Sequence, residues 1–117
     1  MRNQVLLDEI RLLREAAVKN KASIWYRVAE LLERPKSRRV EVNLSKIRRY
    51  VIDSSMIVVP GKVLGVGNLP VNANITIGAH AFSESALSKI NATNNKAVSI
   101  SELVRINPRG NGVRIIV

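Results

Sequence analysis

The residues with the clearest chemistry lie between Arg34 and Lys62, in the run RPKSRRVEVNLSKIRRYVIDSSMIVVPGK. Positions 34 to 49 hold seven basic residues, Arg34, Lys36, Arg38, Arg39, Lys46, Arg48 and Arg49, against one acid, Glu41. They supply +6 of the chain's net +10. Cations packed within a Debye length, about 10 Å at 0.1 M salt, sum into one local potential that recruits and holds a polyanion. An ordinary solvated face mixes both signs, and this one does not. The expected chemistry is neutralisation of phosphates, with Asn43 in the same surface and Lys62 just downstream.

A second, smaller group of polar residues occurs near the C-terminal end: Arg105, Asn107, Arg109, Gly110, Asn111, Gly112 and Arg114. Glycine and asparagine in such a loop let backbone amides turn outward towards a phosphate oxygen, so Asn107, Arg109 and Arg114 join the candidate residues. A polar turn before a final strand accounts for the same residues equally well. His80 is the only histidine and there is no cysteine. Thiolate catalysis, disulfides and Cys-based zinc sites are therefore excluded, and a satisfied core or loop histidine is the expectation for His80. The nine carboxylates fall mostly on helix faces among cations, a poor arrangement for paired acid and base work.

The glycines of MIVVPGKVLGVGNLP invite a nucleotide-binding reading that their spacing does not support. A Walker loop requires glycine at Met56 and Ser or Thr at Val63. A dinucleotide fingerprint started at Gly65 meets Pro70 where its third glycine belongs. The glycines are expected instead to permit turns and close packing, or to let backbone approach a phosphate chain. No catalytic residue, metal, cofactor or small-molecule substrate is expected.

These groups require elements to mount them. Val40, Val42 and Leu44 alternate with Arg39, Glu41 and Asn43, the period of a strand with one packed side. From Leu44 the spacing turns helical, with Leu44, Ile47 and Val51 on one face and Lys46 and Arg49 near the other. Ahead of this segment, Leu6, Ile10, Leu13 and Ala17 predict one helix, capped by Asn3 and closed by Asn20. Trp25, Val28, Ala29 and Leu32 predict a second, stopped by Pro35, with Trp25 a core anchor. Residues 1 to 33 carry six basic and five acidic residues, so this hairpin is expected to be scaffold.

Downstream, two short strands joined by a tight Pro60-Gly61 turn are expected, then a strand from Asn74 to His80. Ser83 should cap a helix burying Ala86, Leu87 and Ile90. A strand through Val98 and Ile100 follows, then a short helix from Ser101 with Leu103, Val104 and Ile106, ended by Asn107-Pro108, and a last strand VRIIV. The whole reads as one α/β domain over residues 1–117: a helical hairpin (1–34), a basic segment with a short helix (35–53), and a core of short strands alternating with short helices (54–117).

At 117 residues and 46% hydrophobic composition, the chain can bury one core of Ile, Val, Leu and Ala. Only Trp25, Tyr26, Tyr50 and Phe82 are aromatic, too few to stack a run of unpaired bases, so recognition should rest on backbone and shape. No apolar run approaches the roughly 18 residues that span a bilayer, and charges at Asp8, Glu9, Arg11 and Arg14 do not suit a signal peptide. A cytosolic protein without membrane partners is expected, and the N-x-[ST] triplets at Asn43, Asn74 and Asn91 are chance matches.

Five blocks in a fixed order carry a resemblance: W-x2-VA-x-L from Trp25, VNLSKI at 42–47, VVPGKVLG at 58–65, FSESA at 82–86 and NPRGNGVRI at 107–115. Together they resemble the archaeal and eukaryotic large-subunit ribosomal protein eighteen-e family, related to universal large-subunit protein fifteen. The resemblance spans nearly the whole chain, whose length is similar to archaeal members. It implies a βα-type core, no enzymatic activity, a cytoplasmic place in the large ribosomal subunit, and large-subunit rRNA and neighbouring ribosomal proteins as partners. Two stretches depart from the family's habit, Asn94-Asn95 in place of a Gly-Gly pair and the Ile75–Ala81 strand, less rich in alanine. Composition alone fits a basic DNA-binding architectural protein as well.

Overall fold

Strand β2 (Met56–Leu64) is the axis of a parallel sheet, in a computed structural model that describes residues 4–52 and 54–117. One edge of β2 pairs with β3 (Thr76–Phe82), which pairs in turn with β4 (Lys96–Ser99). The opposite edge is shared. The first half of β2 pairs with β5 (Val113–Ile115) and the second half with β1 (Val40–Asn43), in register from Val40 opposite Gly61 to Asn43 opposite Leu64. Every one of these pairings is parallel, so both sheet faces must be covered.

Alternation along β2 divides the core accordingly. Ile57, Val59 and Val63 enter a cluster with Leu44 and Ile47 of α3 (Leu44–Arg48) and Ala86 and Ile90 of α4 (Glu84–Ala92). Val58 enters the other, with Leu13, Trp25, Val28 and Leu32 of α1 (Gln4–Lys19) and α2 (Ser23–Leu32), and Leu103 of α5 (Ile100–Ile106). The expected α/β class is thus realised as three layers, with the N-terminal hairpin lying on one face of the sheet. Asn20 Nδ2 donates to the Ala16 carbonyl at the end of α1 (3.0 Å), while Asn3 lies outside the described residues.

Several boundaries differ from the sequence expectation. No Pro60-Gly61 turn forms; β2 runs unbroken through both residues. Pairing with β3 slips between Val59 and Lys62, and this bulge accommodates a proline that has no N–H to give. Gly61 then faces β1 so closely that a Cβ would stand 2.0 Å from the Val40 carbonyl oxygen. The next strand starts at Thr76, not Asn74, because Asn72 and Asn74 have φ of 55° and 57°, outside the strand region. Leu87 and Ile106 are exposed, on helix flanks that the sheet does not reach. Helix α5 starts at Ile100, capped by Ser99, whose Oγ accepts from the Glu102 N–H (3.1 Å). Ser83 caps α4 as expected, its Oγ accepting from Ala86 N–H (3.1 Å).

Asn94-Asn95 has a structural account. Asn94 has φ 60°, which glycine would adopt freely, and Asn95 is buried, accepting from Ile75 N–H (3.0 Å) and donating to the Pro70 carbonyl (3.0 Å). The pair therefore ties the 65–75 connection to the end of α4.

Candidate nucleic-acid interface

The basic segment is mounted on the sheet's β1 edge. After Pro35 a 3-10 turn, Lys36–Arg38, presents Arg34, Lys36 and Arg38 to solvent, with Arg39 half-buried as the chain enters β1. Burial of Val40 and Val42 against the sheet fixes this strand, and Leu44 and Ile47 fix α3 behind it. The short helix leaves Arg48 and Arg49 exposed. Lys62 stands opposite Glu41 in the β1–β2 register. Lys36, Arg39 and Lys62 line one cleft of about 360 Å³ with Val40 and Glu41.

Ion pairing decides whether these charges are available. Among the described residues the pairs are Arg14 with Glu33, Glu9 with His80, and Arg105 with Glu102, and none of the segment's seven cations takes part. Lys46, half-buried, donates to the Val117 carbonyl oxygen instead. Lys46 and Arg114 line a second cleft of about 300 Å³, where the Arg114 guanidinium lies 4.4 Å from the centre of the Tyr50 ring.

Two candidate asparagines have internal tasks. Asn43 Oδ1 accepts from Val66 N–H (3.1 Å), and Asn107 Nδ2 donates to the Asn111 carbonyl (2.8 Å). The C-terminal cationic group is divided: Arg114 lies by Tyr50, while Arg105, paired with Glu102 on its own helix (3.3 Å), lines a cleft that shares Lys19 and Asn20 with that of Arg109. Arg109 lines a cleft of about 550 Å³ with Lys19, Asn20, Lys21 and Asn111. Sequence reading missed Lys19 and Lys21, because the hairpin's nearly balanced charge hid them and their partner lies near the other end of the chain.

The glycine connection packs inward. A Cβ on Gly65 would stand 2.0 Å from Ser85 Oγ, and Gly67, at φ 100°, lies against Ser45. Lys89 Nζ donates to both carbonyls, Gly65 (2.6 Å) and Gly67 (3.0 Å). The close packing expected of these glycines is met at Gly65 and Gly67. His80 Nδ1 meets Glu9 Oε1 at 2.7 Å, joining β3 to α1. Burial raises the Glu9 carboxyl above its ordinary value, more than the hydrogen bond and charge of His80 lower it. Among the described residues no three His, Asp or Glu side chains gather as a metal site, and no helix is long and apolar enough to cross a membrane.

Against this geometry, residues 18–98 match a family model that covers the ribosomal proteins 50S-L15 and 50S-L18e together with a 60S counterpart. The chain belongs to this family. Its members are structural ribosomal components, not enzymes. Relatives named large ribosomal subunit protein eL18 include those of Methanococcus maripaludis, 46% identical over 107 residues (92% of this chain, 88% of the relative), and Methanoregula boonei, 45% over 114 residues (97% and 93%). That of Archaeoglobus fulgidus is 41% identical over 115 residues, covering 98% of this chain and 97% of the relative. The resemblance carried by the five sequence blocks is thereby borne out, as is the mixed α/β class.

Proposed function

We propose that the protein is a structural constituent of the large ribosomal subunit in the cytoplasm, where it holds large-subunit rRNA through the phosphate backbone. One observation carries the RNA contact: the seven cations of residues 34–49 sit on ordered backbone, and among the described residues none pairs with an Asp or Glu side chain, Lys46 alone being engaged, at Val117. Arg34, Lys36, Arg38, Arg39, Arg48, Arg49 and Lys62 form the outward surface, with Arg114 and Lys46 beside it. Phosphate contacts of this kind fix geometry and carry little sequence information. Neighbouring ribosomal proteins are the other expected partners.

With about six phosphate contacts, log Kd should vary with log salt at a slope of magnitude roughly 4 to 5. Titration of a large-subunit rRNA transcript at several salt concentrations measures it, with duplex DNA as competitor. Preference for structured rRNA supports the reading, and equal or better binding to duplex DNA replaces it with an architectural DNA-binding one.

A further inference from the structure

The largest cleft described above lies away from the basic segment. We propose that Lys19, Lys21 and Arg109 form a second, independent seat for RNA phosphates; this rests on the RNA-binding reading of the basic segment. Three cations from two distant parts of the chain line one cleft of about 550 Å³, and its other lining residues are Asn20 and Asn111. No carboxylate is among them. All three cations are exposed, and none has an ion-pair partner among the described residues. Glu15 lines the adjoining cleft with Lys19 and forms no ion pair with it; like charges so gathered repel, and a bridging anion relieves that repulsion.

The arrangement is held before any ligand arrives. Trp25 Nε1 donates to the Pro108 carbonyl (2.7 Å), fastening the Arg109 loop to the start of α2. Asn107 Nδ2 closes the same loop on the Asn111 carbonyl (2.8 Å), and Gly110, at φ 69°, lies so near Ile24 that a Cβ would approach its Cγ2 to 2.4 Å. On the other wall Lys21 has φ 52°, with Ala22 N–H donating to the Ala17 carbonyl (3.0 Å). Backbone fixed in this way lowers the ordering cost of binding. The lining is polar throughout and open, which suits a backbone phosphate and not an enclosed small molecule, whose sites are mostly apolar. Helix α2, ten residues or about 15 Å long, separates this cleft from the Lys36–Arg39–Lys62 cleft, so one phosphate cannot serve both.

The test uses the full chain and a large-subunit rRNA transcript. A triple variant, Lys19→Gln, Lys21→Asn and Arg109→Gln, keeps polar groups and suits the left-handed backbone at position 21. Three lost contacts should flatten the salt slope by about 2, and the loss in log Kd should add to that of a quadruple variant with alanine at Arg38, Arg39, Arg48 and Arg49. Unchanged affinity and slope in the triple variant, beside a clear loss in the quadruple one, overturns the second seat and leaves the basic segment standing. No loss in either variant overturns the RNA reading itself. Lysine acetylation of the wild-type protein needs no variant: Lys19 and Lys21 should be protected at least several-fold by the transcript, and full reactivity in the complex overturns the proposal.

Discussion

Two cationic regions of this molecule differ in how they are made. The segment 34–49 gathers its charge by adjacency, seven cations in one stretch carried on β1 and α3. The cleft of Lys19, Lys21 and Arg109 gathers its charge by folding, through a loop fastened to α2 by Trp25. Adjacent charge is visible to anyone counting residues, whereas assembled charge exists only once the sheet has brought the 107–112 loop back to the hairpin. The first tolerates local rearrangement because neighbours in sequence stay neighbours. The second depends on a few contacts and is open to loss through any of them.

The sharpest way to separate the two is to attack the scaffold under the first. Gly61→Val drives a side chain into the Val40 carbonyl, where a Cβ alone would stand at 2.0 Å. The pairing of β1 with β2 should fail, at a cost of about 3–5 kcal/mol, read as loss of soluble protein or a fall in Tm above roughly 10 °C. A stable, soluble Gly61→Val protein lacking only RNA affinity would place this glycine in the interface. Next in size, alanine at Arg38, Arg39, Arg48 and Arg49 should flatten the salt slope by roughly 3 while Tm moves by no more than about 2 °C. Those side chains are exposed or half-buried and form no ion pair among the described residues. An unaltered slope would remove the first region from RNA binding.

Trp25→Phe addresses the second region alone. It leaves a void in the core beside the shorter ring as well as the Pro108 carbonyl without its donor, together costing about 2 kcal/mol, or roughly 8 °C in Tm. Acetylation of Lys19 and Lys21 in the RNA complex should then rise, while the Arg38–Arg49 contribution to the slope stays. The smallest effect concerns Glu9 and His80, which folding alone brings together from 71 residues apart. A carboxyl raised by burial adds stability below its unfolded value and loses it as pH climbs through the folded one. Glu9→Gln should thus gain on the wild type as pH rises from the ordinary carboxylate range through the raised folded value, in thermal melts at a series of pH values. A gap that widens in the wild type's favour with pH would assign the dominant role to the His80 contact.

Much of the fold was legible because periodicity reports burial directly. Trp25, Val28, Ala29 and Leu32 are buried at the helical spacing read for them, and Val40 and Val42 at the strand spacing. The Pro60-Gly61 pair was misread because its local chemistry is that of a turn, yet a parallel neighbour and a bulge accommodate it in a strand. Leu87 and Ile106 fit helical apolar patterns, but only the position of the sheet decides which flank is covered. The grouping of Arg105, Arg109 and Arg114 holds only in part: Arg105 and Arg109 line adjoining clefts that share Lys19 and Asn20, whereas Arg114 lies over Tyr50, because nearness in sequence does not survive the turn into β5.

By itself, then, the sequence determined the class of the fold, the charged stretch at 34–49 and the absence of thiol chemistry, since each is a property of composition or short-range spacing. Tertiary structure alone decided that β2 is continuous, that the glycine carbonyls are taken by Lys89, and that Lys19 and Lys21 stand beside Arg109. Contacts between residues tens of positions apart depend on which faces the core requires to be buried together, and no local pattern encodes that choice.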